Sequence, residues 1–205
     1  MMNCDVFVLL DDVQFKKNEW QNRNRIKTAT GWQWITVPVI HNFGQKIIDV
    51  KINNRVNWRR KHMNALIANY SKAPYFKKYR DFFEETYQKE WEYLCDINIH
   101  FILFIAKELE IEVPIIRSST LGVTSTRTQR LIDICKKVGA DTYLSGIGGY
   151  YYLDFSLFEE EGIKLIFQNF KHPVYPQLYG EFIPNLSVVD ALFNCGKDLR
   201  KIMKT

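Results

Sequence analysis

The sequence predicts an α/β fold, with a mixed or mostly parallel sheet flanked by helices and with an inserted helical segment. The segment from Asp5 to Leu10 is a nearly continuous apolar run that ends in two aspartates, which is typical of a parallel strand buried on both faces. Strand and helix patterns alternate in the second half of the chain. The composition, 46% hydrophobic and 25% charged, is that of a globular protein and excludes a disordered or low-complexity chain.

The first half of the chain predicts short strands followed by helices. After the first strand, Phe15 to Lys27 is a polar stretch without clear periodicity. The β-branched and aromatic residues from Trp32 to Val39 predict a strand, with Pro38 at an edge or an end. Lys46 to Ile52 is a candidate third strand that would pair with it. Helical periodicity then predicts helices near 58–70, 75–89 and 92–110, so that the inserted helical segment covers about 58–110.

The second half of the chain predicts alternating strands and helices. A strand at 114–117 precedes a helix that starts at the Thr124–Thr126 cap and stops at Gly139, and a second strand follows at 141–145. After a glycine-rich turn we expect an acidic helix near 154–161, a strand at 163–170, a proline- and tyrosine-rich loop at 172–184 and a short helix at 187–193. A chain of 205 residues has the usual length of one domain, so we expect a single domain over 1–205.

Several classes of protein are excluded or disfavoured by the sequence. It has no run of 18 apolar residues that would span a bilayer, and its first residues do not form a signal peptide. Its four cysteines are far apart and form no CxxC pair, which favours reduced core thiols, and we expect a cytoplasmic protein without a zinc site. The net charge of +5 suits an anionic ligand, but it is too small and too local to indicate nucleic acid.

The segment from Asp11 to Lys27 carries the densest set of candidate ligand-binding residues. Asp11 and Asp12 end a strand, where open α/β sheets bind their ligands. The segment then continues with guanidinium groups that bind phosphate, amides that recognise hydrogen-bonding edges and an indole that stacks on a base or sugar. These side chains are Trp20, Gln21, Asn22, Arg23 and Arg25. The alternative is a solvated basic loop anchored by one tryptophan.

Three further positions are candidates for binding or catalysis. Ser145 and Gly146 stand where a strand enters a glycine-rich turn, whose free N–H groups suit an anion, although the turn matches neither GxGxxG nor a P-loop. Arg127, near a helix start, is a candidate phosphate clamp. His172 is a candidate proton carrier, with Tyr175 and Gln177 as orienting groups. For each position the plain alternative is a structural turn, cap or loop residue. His62, in a basic helix, is expected on a solvated face.

Four segments, which together run along almost the whole chain, resemble the WbqC-like family, found among bacterial O-antigen and capsule synthesis genes. They are DVFVLLDDVQFKKNEWQNRNRIKT (residues 5–28), GWQWITVPV (31–39), TYLSGIGGYYYLD (142–154) and HPVYPQLYGEFIPNLSVVDALFNCG (172–196). Family members usually carry a strand and an HQPxYxPWxGYF-type motif just before the segment that matches Cys4. The resemblance therefore implies that an N-terminal strand and loop are missing.

The resemblance and the site residues lead to one main functional hypothesis. We expect an enzyme of surface-polysaccharide synthesis that transfers a small acyl or aminoacyl group, such as glycyl, to a nucleotide-linked amino sugar. His172 would be the base, Asp11 or Asp12 would bind a sugar hydroxyl or amine, and the arginines would hold phosphate. No cofactor is predicted. The sequence does not identify the acyl donor, for which an acyl-carrier protein is one candidate, and it is compatible with a homo-oligomer.

Two alternative hypotheses are kept. One is a non-catalytic partner that binds a nucleotide sugar or glycan. The other is a nucleotidyltransferase-like enzyme, which would need a divalent metal at the adjacent carboxylates Asp11 and Asp12.

Overall fold

A computed structural model, which describes residues 1–203, confirms the α/β class. Its strands form four two-stranded sheets among the described residues. Two pairs are parallel: β1 (Phe7–Leu9) with β6 (Ile115–Arg117), and β7 (Thr142–Gly146) with β8 (Lys164–Gln168). Two pairs are antiparallel: β2 (Arg23–Thr28) with β3 (Gly31–Thr36), and β4 (Val39–Ile40) with β5 (Lys51–Ile52).

The first six helices lie close to their predicted positions, and the seventh was not predicted. They are α1 (Trp58–Tyr70), α2 (Phe76–Gln88), α3 (Leu94–Glu108), α4 (Arg127–Lys137), α5 (Phe155–Glu160), α6 (Val188–Cys195) and α7 (Leu199–Ile202). The side chain of Asp154 caps α5 and that of Ser187 caps α6, as their residue types favour. Among the described residues, no helix has the length and apolar character that crossing a membrane requires.

Within the domain predicted from the sequence, the chain divides into two compact units. Unit 1 consists of Met1–Asp12 and Ile111–Lys171, and unit 2 consists of Val13–Glu110 and the described residues from His172 onward. Unit 1 thus holds both parallel strand pairs, and unit 2 holds both antiparallel pairs together with the predicted helical segment.

Each unit has its own hydrophobic core. In unit 2, aromatic side chains from α1, α2 and α6 pack together, and Phe193 of α6 contacts the rings of Tyr70, Phe76 and Phe83. The unit 1 core is smaller and lies between α4, α5 and the β7–β8 pair. Its buried members are Ile132, Cys135, Leu153, Phe158 and Ile163.

Four local features differ from the sequence predictions. The polar stretch after Phe15 contains β2, and most of the candidate strand from Lys46 to Ile52 is a 3₁₀ turn followed by the short β5. The first strand is not buried on both faces, since Phe7, Val8 and Leu9 are all partly exposed. His62 is buried and not solvated, because α1 packs that face into the core, where its Nε2 lies 3.0 Å from the carbonyl oxygen of Thr36.

Candidate functional site

The β2–β3 hairpin of unit 2 brings arginines and tryptophans onto one face. The antiparallel register sets Arg25 opposite Trp34 and Arg23 opposite Thr36. Because side chains alternate along a strand, Arg23 and Arg25 share their face with Trp32 and Trp34. The opposite face carries Ile26, which is fully buried in the core of unit 2 and fixes the orientation of the hairpin.

The two guanidinium groups lie close to a cluster of three indole rings. The Cζ atom of Arg23 lies 4.1 Å from the ring centre of Trp34. The Cζ atom of Arg25 lies 5.0 Å from the ring of Trp32, 5.6 Å from that of Trp20 and 5.9 Å from that of Trp34. These separations are in the range of cation–π attraction. We call the five side chains of Trp20, Arg23, Arg25, Trp32 and Trp34 the Trp–Arg platform.

The platform remains open to solvent despite its aromatic content. Trp20 is 58% exposed, Trp32 44% and Trp34 38%. Single exposed apolar side chains are ordinary, whereas a contiguous exposed cluster such as this one is typical of a binding surface. Indole rings offer flat faces for a base or for the apolar face of a sugar.

The charges of the platform arginines are not neutralised by nearby carboxylates. Among the described residues, neither Arg23 nor Arg25 takes part in an ion pair. Arg25 donates from Nη2 to the carbonyl oxygen of Asn185 at 2.9 Å, and the Nε atoms of both arginines are buried without a hydrogen-bond partner in that part of the chain. Two uncompensated guanidinium groups beside exposed indoles favour an anionic ligand with a flat or apolar part.

The predicted amides of this segment shape the loop that carries Trp20. Gln21 accepts a hydrogen bond at Oε1 from the backbone N–H of Lys16, at 2.9 Å. Asn22 is buried, accepts at Oδ1 from the N–H of Asn18 and donates from Nδ2 to the carbonyl oxygen of Val37. Both amides thus form hydrogen bonds within the protein and hold the loop that carries Trp20.

A buried polar network lies at the other end of β2. Lys27 is only 1% exposed, and its Nζ donates to Oε1 of Gln177 at 3.0 Å and to the carbonyl oxygen of Glu181 at 2.5 Å. Burial lowers the pKa of Lys27, although the negative charge of Asp190 acts in the opposite direction. Gln177 also bonds both backbone polar groups of Ile183, so that the 172–187 loop is tied to β2.

Asp190 of α6 completes this network. It is fully buried and accepts hydrogen bonds from the hydroxyls of Tyr70, at 2.8 Å, and Tyr175, at 2.9 Å. Burial raises the pKa of Asp190, and the two hydroxyl donors oppose that rise. The predicted ligand-binding residue Tyr175 therefore has its hydroxyl engaged within the protein, where it supports the loop.

His172 begins the same loop and is half-buried. Its ring packs 6.2 Å from the ring of Tyr175 and 5.7 Å from that of Phe182. Its Nδ1 lies 2.8 Å from the carbonyl oxygen of Pro173, which favours the tautomer with the proton on Nδ1 and the lone pair on Nε2. In that tautomer Nε2 is a hydrogen-bond acceptor.

The adjacent carboxylates Asp11 and Asp12 lie in unit 1 and are held by arginines. Asp11 accepts from Nε of Arg117 at 2.6 Å and from the N–H and hydroxyl of Ser119. Asp12 accepts from Nη2 of Arg130 at 2.5 Å. Burial raises the pKa of each carboxyl, but these donors outweigh it and hold both pKa values below their usual range. The pair is therefore ionised and fastens the end of β1 to its neighbours.

The other predicted residues of unit 1 lie in two different elements, Arg127 in α4 and both Ser145 and Gly146 at the end of β7. Arg127 is exposed at the start of α4 and has a positive φ of 55°, a strained conformation for a residue other than glycine. Ser145 is buried, and its hydroxyl donates to the carbonyl oxygen of Gly146 at 3.0 Å. No group of three His, Cys, Asp or Glu side chains suitable for a metal ion occurs among residues 1–203.

The sequence reasoning missed Trp32 and Trp34 as site residues. A strand was predicted over them, but β2 was not, so their position opposite the arginines could not be deduced. The hairpin could have been predicted from the i, i+2 spacing of Arg23 and Arg25, because Trp32 and Trp34 have the same spacing on the other side of a short turn.

Comparisons with known proteins identify related sequences but name no activity. A family model described as "WbqC-like protein family" matches residues 1–202. A protein from Mycobacterium tuberculosis, named "Uncharacterized protein Rv1507c", is 35% identical over 198 residues, which cover 95% of this chain and 85% of that protein. No solved structure shows a significant match.

Proposed function

The chain belongs to the WbqC-like protein family, and from its site we propose that it binds a nucleotide-linked amino sugar on the Trp–Arg platform. We further propose that it is a cytoplasmic enzyme of surface-polysaccharide synthesis that transfers a small acyl or aminoacyl group to the sugar amine. An acyl-carrier protein is one candidate donor.

The observation that carries the proposal is the pairing of uncompensated arginines with exposed indoles. A diphosphate would accept hydrogen bonds from the terminal nitrogen atoms of Arg23 and Arg25, which form no ion pair among the described residues. Each such charge-assisted bond contributes about 1.5–3 kcal/mol. The base or the sugar would lie against the indole faces, as Trp20 is the most exposed of the three. One surface thus offers complementary groups to the charged and flat parts of the ligand.

His172 supplies the proposed chemistry. Nε2 takes a proton from the sugar amine as the amine nitrogen attacks the acyl carbonyl carbon. The new C–N bond forms, the bond between the acyl carbon and the donor's leaving group breaks, and the histidine passes the proton to that leaving group. His172 belongs to the loop whose Asn185 carbonyl receives Arg25, so both functions lie within unit 2. This proposal does not require Asp11, Asp12 or Arg127.

Binding is tested by calorimetric titration of UDP, dTDP, GDP and CMP and of amino sugars linked to each. We expect one nucleotide series to bind, and Arg23→Ala to weaken its affinity about 10- to 100-fold, which corresponds to the loss of one charge-assisted bond. Arg60→Ala is the matched control, because it removes the same charge from an exposed position on α1. Equal affinities for the Arg23→Ala variant and the unmodified protein would refute the proposed site.

Transfer is tested separately, by mass spectrometry of the amino sugar incubated with acetyl and glycyl thioesters. We expect an amide product whose formation is lost in His172→Ala while the calorimetric affinity is retained. Undiminished turnover in that variant would remove the histidine from the role of base.

A second candidate function, that of a non-catalytic binding partner, is favoured by the openness of the platform. Its indoles lie on an exposed hairpin face, whereas an enclosed site would exclude water from the reaction. The two candidates differ in turnover. The binding partner would show the same Arg23-dependent affinity and would form no product with any donor.

A further inference from the structure

Independently of the Trp–Arg platform, we propose that unit 2 attaches reversibly to an anionic lipid surface through an exposed apolar turn beside three lysines. The turn consists of residues 40–45, and we call it the Phe43 turn. The proposal rests on the exposure of its apolar side chains, on the hydrogen bonds that hold its backbone and on the lysine charges next to it.

The Phe43 turn carries the most exposed large apolar side chain among the described residues. Phe43 is 98% exposed, and Ile40, at the start of the turn, is 58% exposed. A ring exposed to this extent contacts almost no other atom of the chain, so internal packing does not account for it. A small-molecule site needs walls on several sides, which this ring lacks. Its partner must therefore surround the ring, as the interfacial region of a bilayer does.

Hydrogen bonds hold the turn in one conformation. The N–H of Gln45 donates to the carbonyl oxygen of Asn42 at 3.3 Å, and its Oε1 accepts from the N–H of Asn42 at 2.9 Å. Nε2 of Gln45 donates to the carbonyl oxygen of Asp49 at 2.6 Å. Gly44 has a φ of 79°, a conformation that glycine adopts freely. The ring of Phe43 is thus presented on an ordered backbone, which loses little conformational freedom when the ring inserts.

Backbone pairing places a second segment beside the turn. Residues 13–15 run antiparallel to residues 45–47, with a bridge at the central pair and a hydrogen bond of 2.8 Å from the N–H of Phe15 to the carbonyl oxygen of Gln45. The ring of Phe15 lies 5.1 Å from that of His41. Residues that directly follow either segment are therefore close to the Phe43 turn.

Three lysines occupy these neighbouring positions. Lys16 and Lys17 directly follow the first segment, Lys46 lies in the second, and all three are exposed. None of them forms an ion pair among the described residues. The acidic residues closest to them along the chain are Glu19 and Asp49, so the ammonium groups outnumber the carboxylates. The surface beside the apolar turn is thus positively charged.

An apolar tip with lysines beside it matches the two layers of an anionic bilayer surface. The ring would enter the boundary between headgroups and acyl chains, while the ammonium groups stay among the phosphates on their long apolar stems. Each lysine near an anionic surface strengthens partitioning about fivefold. A partner protein would need one pocket that matches the ring and all three lysines, whereas a bilayer offers apolar depth and negative charge at every point.

The test measures co-sedimentation of the protein with vesicles. One set of vesicles contains phosphatidylglycerol, and the other is pure phosphatidylcholine. We expect binding to the first set only, and weaker binding when salt is raised from about 0.05 to 0.5 M, because the Debye length falls. Hydrogen exchange at residues 41–46 should slow when the anionic vesicles are present.

The apolar contribution is tested by Phe43→Ser. We expect about tenfold weaker partitioning, as for partial burial of one aromatic side chain. The matched control is Tyr151→Ser, which removes an aromatic ring that is 88% exposed in unit 1 and should leave partitioning unchanged. Because the ring of Phe43 contacts almost nothing, the thermal midpoint of Phe43→Ser should equal that of the unmodified protein.

The charge is tested with two triple variants. Lys16→Gln, Lys17→Gln and Lys46→Gln combined should weaken partitioning about 30- to 150-fold. The control removes the same charge from three other lysines of unit 2 that are exposed and form no ion pair among the described residues, and it should weaken partitioning less than about fivefold. It combines Lys61→Gln, Lys72→Gln and Lys77→Gln.

Three results would each overturn the proposal. They are absence of binding to anionic vesicles, equal partitioning of Phe43→Ser and the unmodified protein, and equal losses in the two triple variants. Self-association in sedimentation velocity that Phe43→Ser abolishes would show a second copy of the chain as the occupant of the turn and would also overturn it.

Discussion

Individual side chains show how burial determines chemistry in this protein. Lys27 and His62 are both polar, and His62 was expected on a solvated face, yet both residues are buried and hydrogen-bonded to backbone carbonyl oxygens. Burial disfavours the charged form of each and lowers both pKa values. Polar residues in the sequence thus act partly as structural connectors between strands and loops.

The burial of His62 should make the stability of the protein depend on pH. Burial lowers its pKa to about 4, although the hydrogen bond to Thr36 acts to raise it. In the unfolded chain its pKa is about 6.5. Below pH 6.5 the unfolded state therefore binds a proton that the folded state does not, and stability falls as pH falls from 6.5 towards 4. We expect a loss of about 2 kcal/mol between pH 7.5 and 5, measured by urea unfolding.

The variant His62→Gln should remove most of that pH dependence. His100, whose pKa is also lowered by burial and by the charge of Lys89, contributes in the same direction, so His100→Gln serves as the comparison. An unchanged slope of stability against pH in His62→Gln would contradict the assignment.

Removal of the hydroxyl oxygen of Tyr70 should lower the stability of the protein strongly. Its hydroxyl donates to Asp190 and accepts from the backbone N–H of Lys27, and all three residues are buried. Tyr70→Phe would leave two buried polar groups each without this partner, so we expect a loss of about 2–4 kcal/mol in urea unfolding. The control is Tyr79→Phe, because the hydroxyl of the buried Tyr79 meets the partly exposed amine of Lys78. Equal losses in the two variants would contradict the role of the network.

At the scale of elements, the turn after β7 requires a glycine at one position. A Cβ atom on Gly149 would lie 2.1 Å from Oγ of Ser145 and 2.9 Å from Cδ1 of Leu153, whereas a Cβ atom on Gly148 would meet nothing within 4 Å. We expect Gly149→Ala to destabilise the protein by about 1–3 kcal/mol, through overpacking, and Gly148→Ala to cost less than about 1 kcal/mol. The midpoints of thermal unfolding of the two variants are compared, and similar midpoints would contradict the requirement for glycine at position 149.

The elements also show what the sequence could predict. Helix α1 was predicted at 58–70 and observed there, since a long periodic segment depends mainly on local pattern. Strand β2 was missed because its residues are mostly polar, with only Ile26 reaching the core, and because the turn at Ala29 and Thr30 lacks the usual Asn-Gly signal. The hairpin depends on pairing with β3 and on packing against α6, which no local pattern reports.

At the scale of the whole molecule, the candidate site could be predicted only in part. Trp20, Arg23 and Arg25 were identified from residue type, and the structure brings them together. Gln21, Asn22, Tyr175 and Gln177 were also predicted to bind ligand, and the structure engages their polar groups internally. Residue chemistry indicates what a side chain can bind, but only the fold decides whether it already has a partner.

The division of the molecule into two units also separates the candidates for function. The Trp–Arg platform and His172 belong to unit 2, whereas Asp11 and Asp12 belong to unit 1. The central claim concerns unit 2 alone, namely that its platform binds an anionic ligand through arginine and indole groups.

The most direct test of that claim is an NMR titration that follows the five indole N–H signals of the chain. Signals would be assigned with single Trp→Phe variants, and the titrant would be the nucleotide-linked amino sugar that binds best in calorimetry. We expect the signals of Trp20, Trp32 and Trp34 to shift with a common dissociation constant. Those of Trp58 and Trp91, whose Nε1 atoms donate to Asn54 and Thr86, should stay in place. Saturation of binding without a shift at the three platform indoles, or with shifts confined to Trp58 and Trp91, would contradict the account.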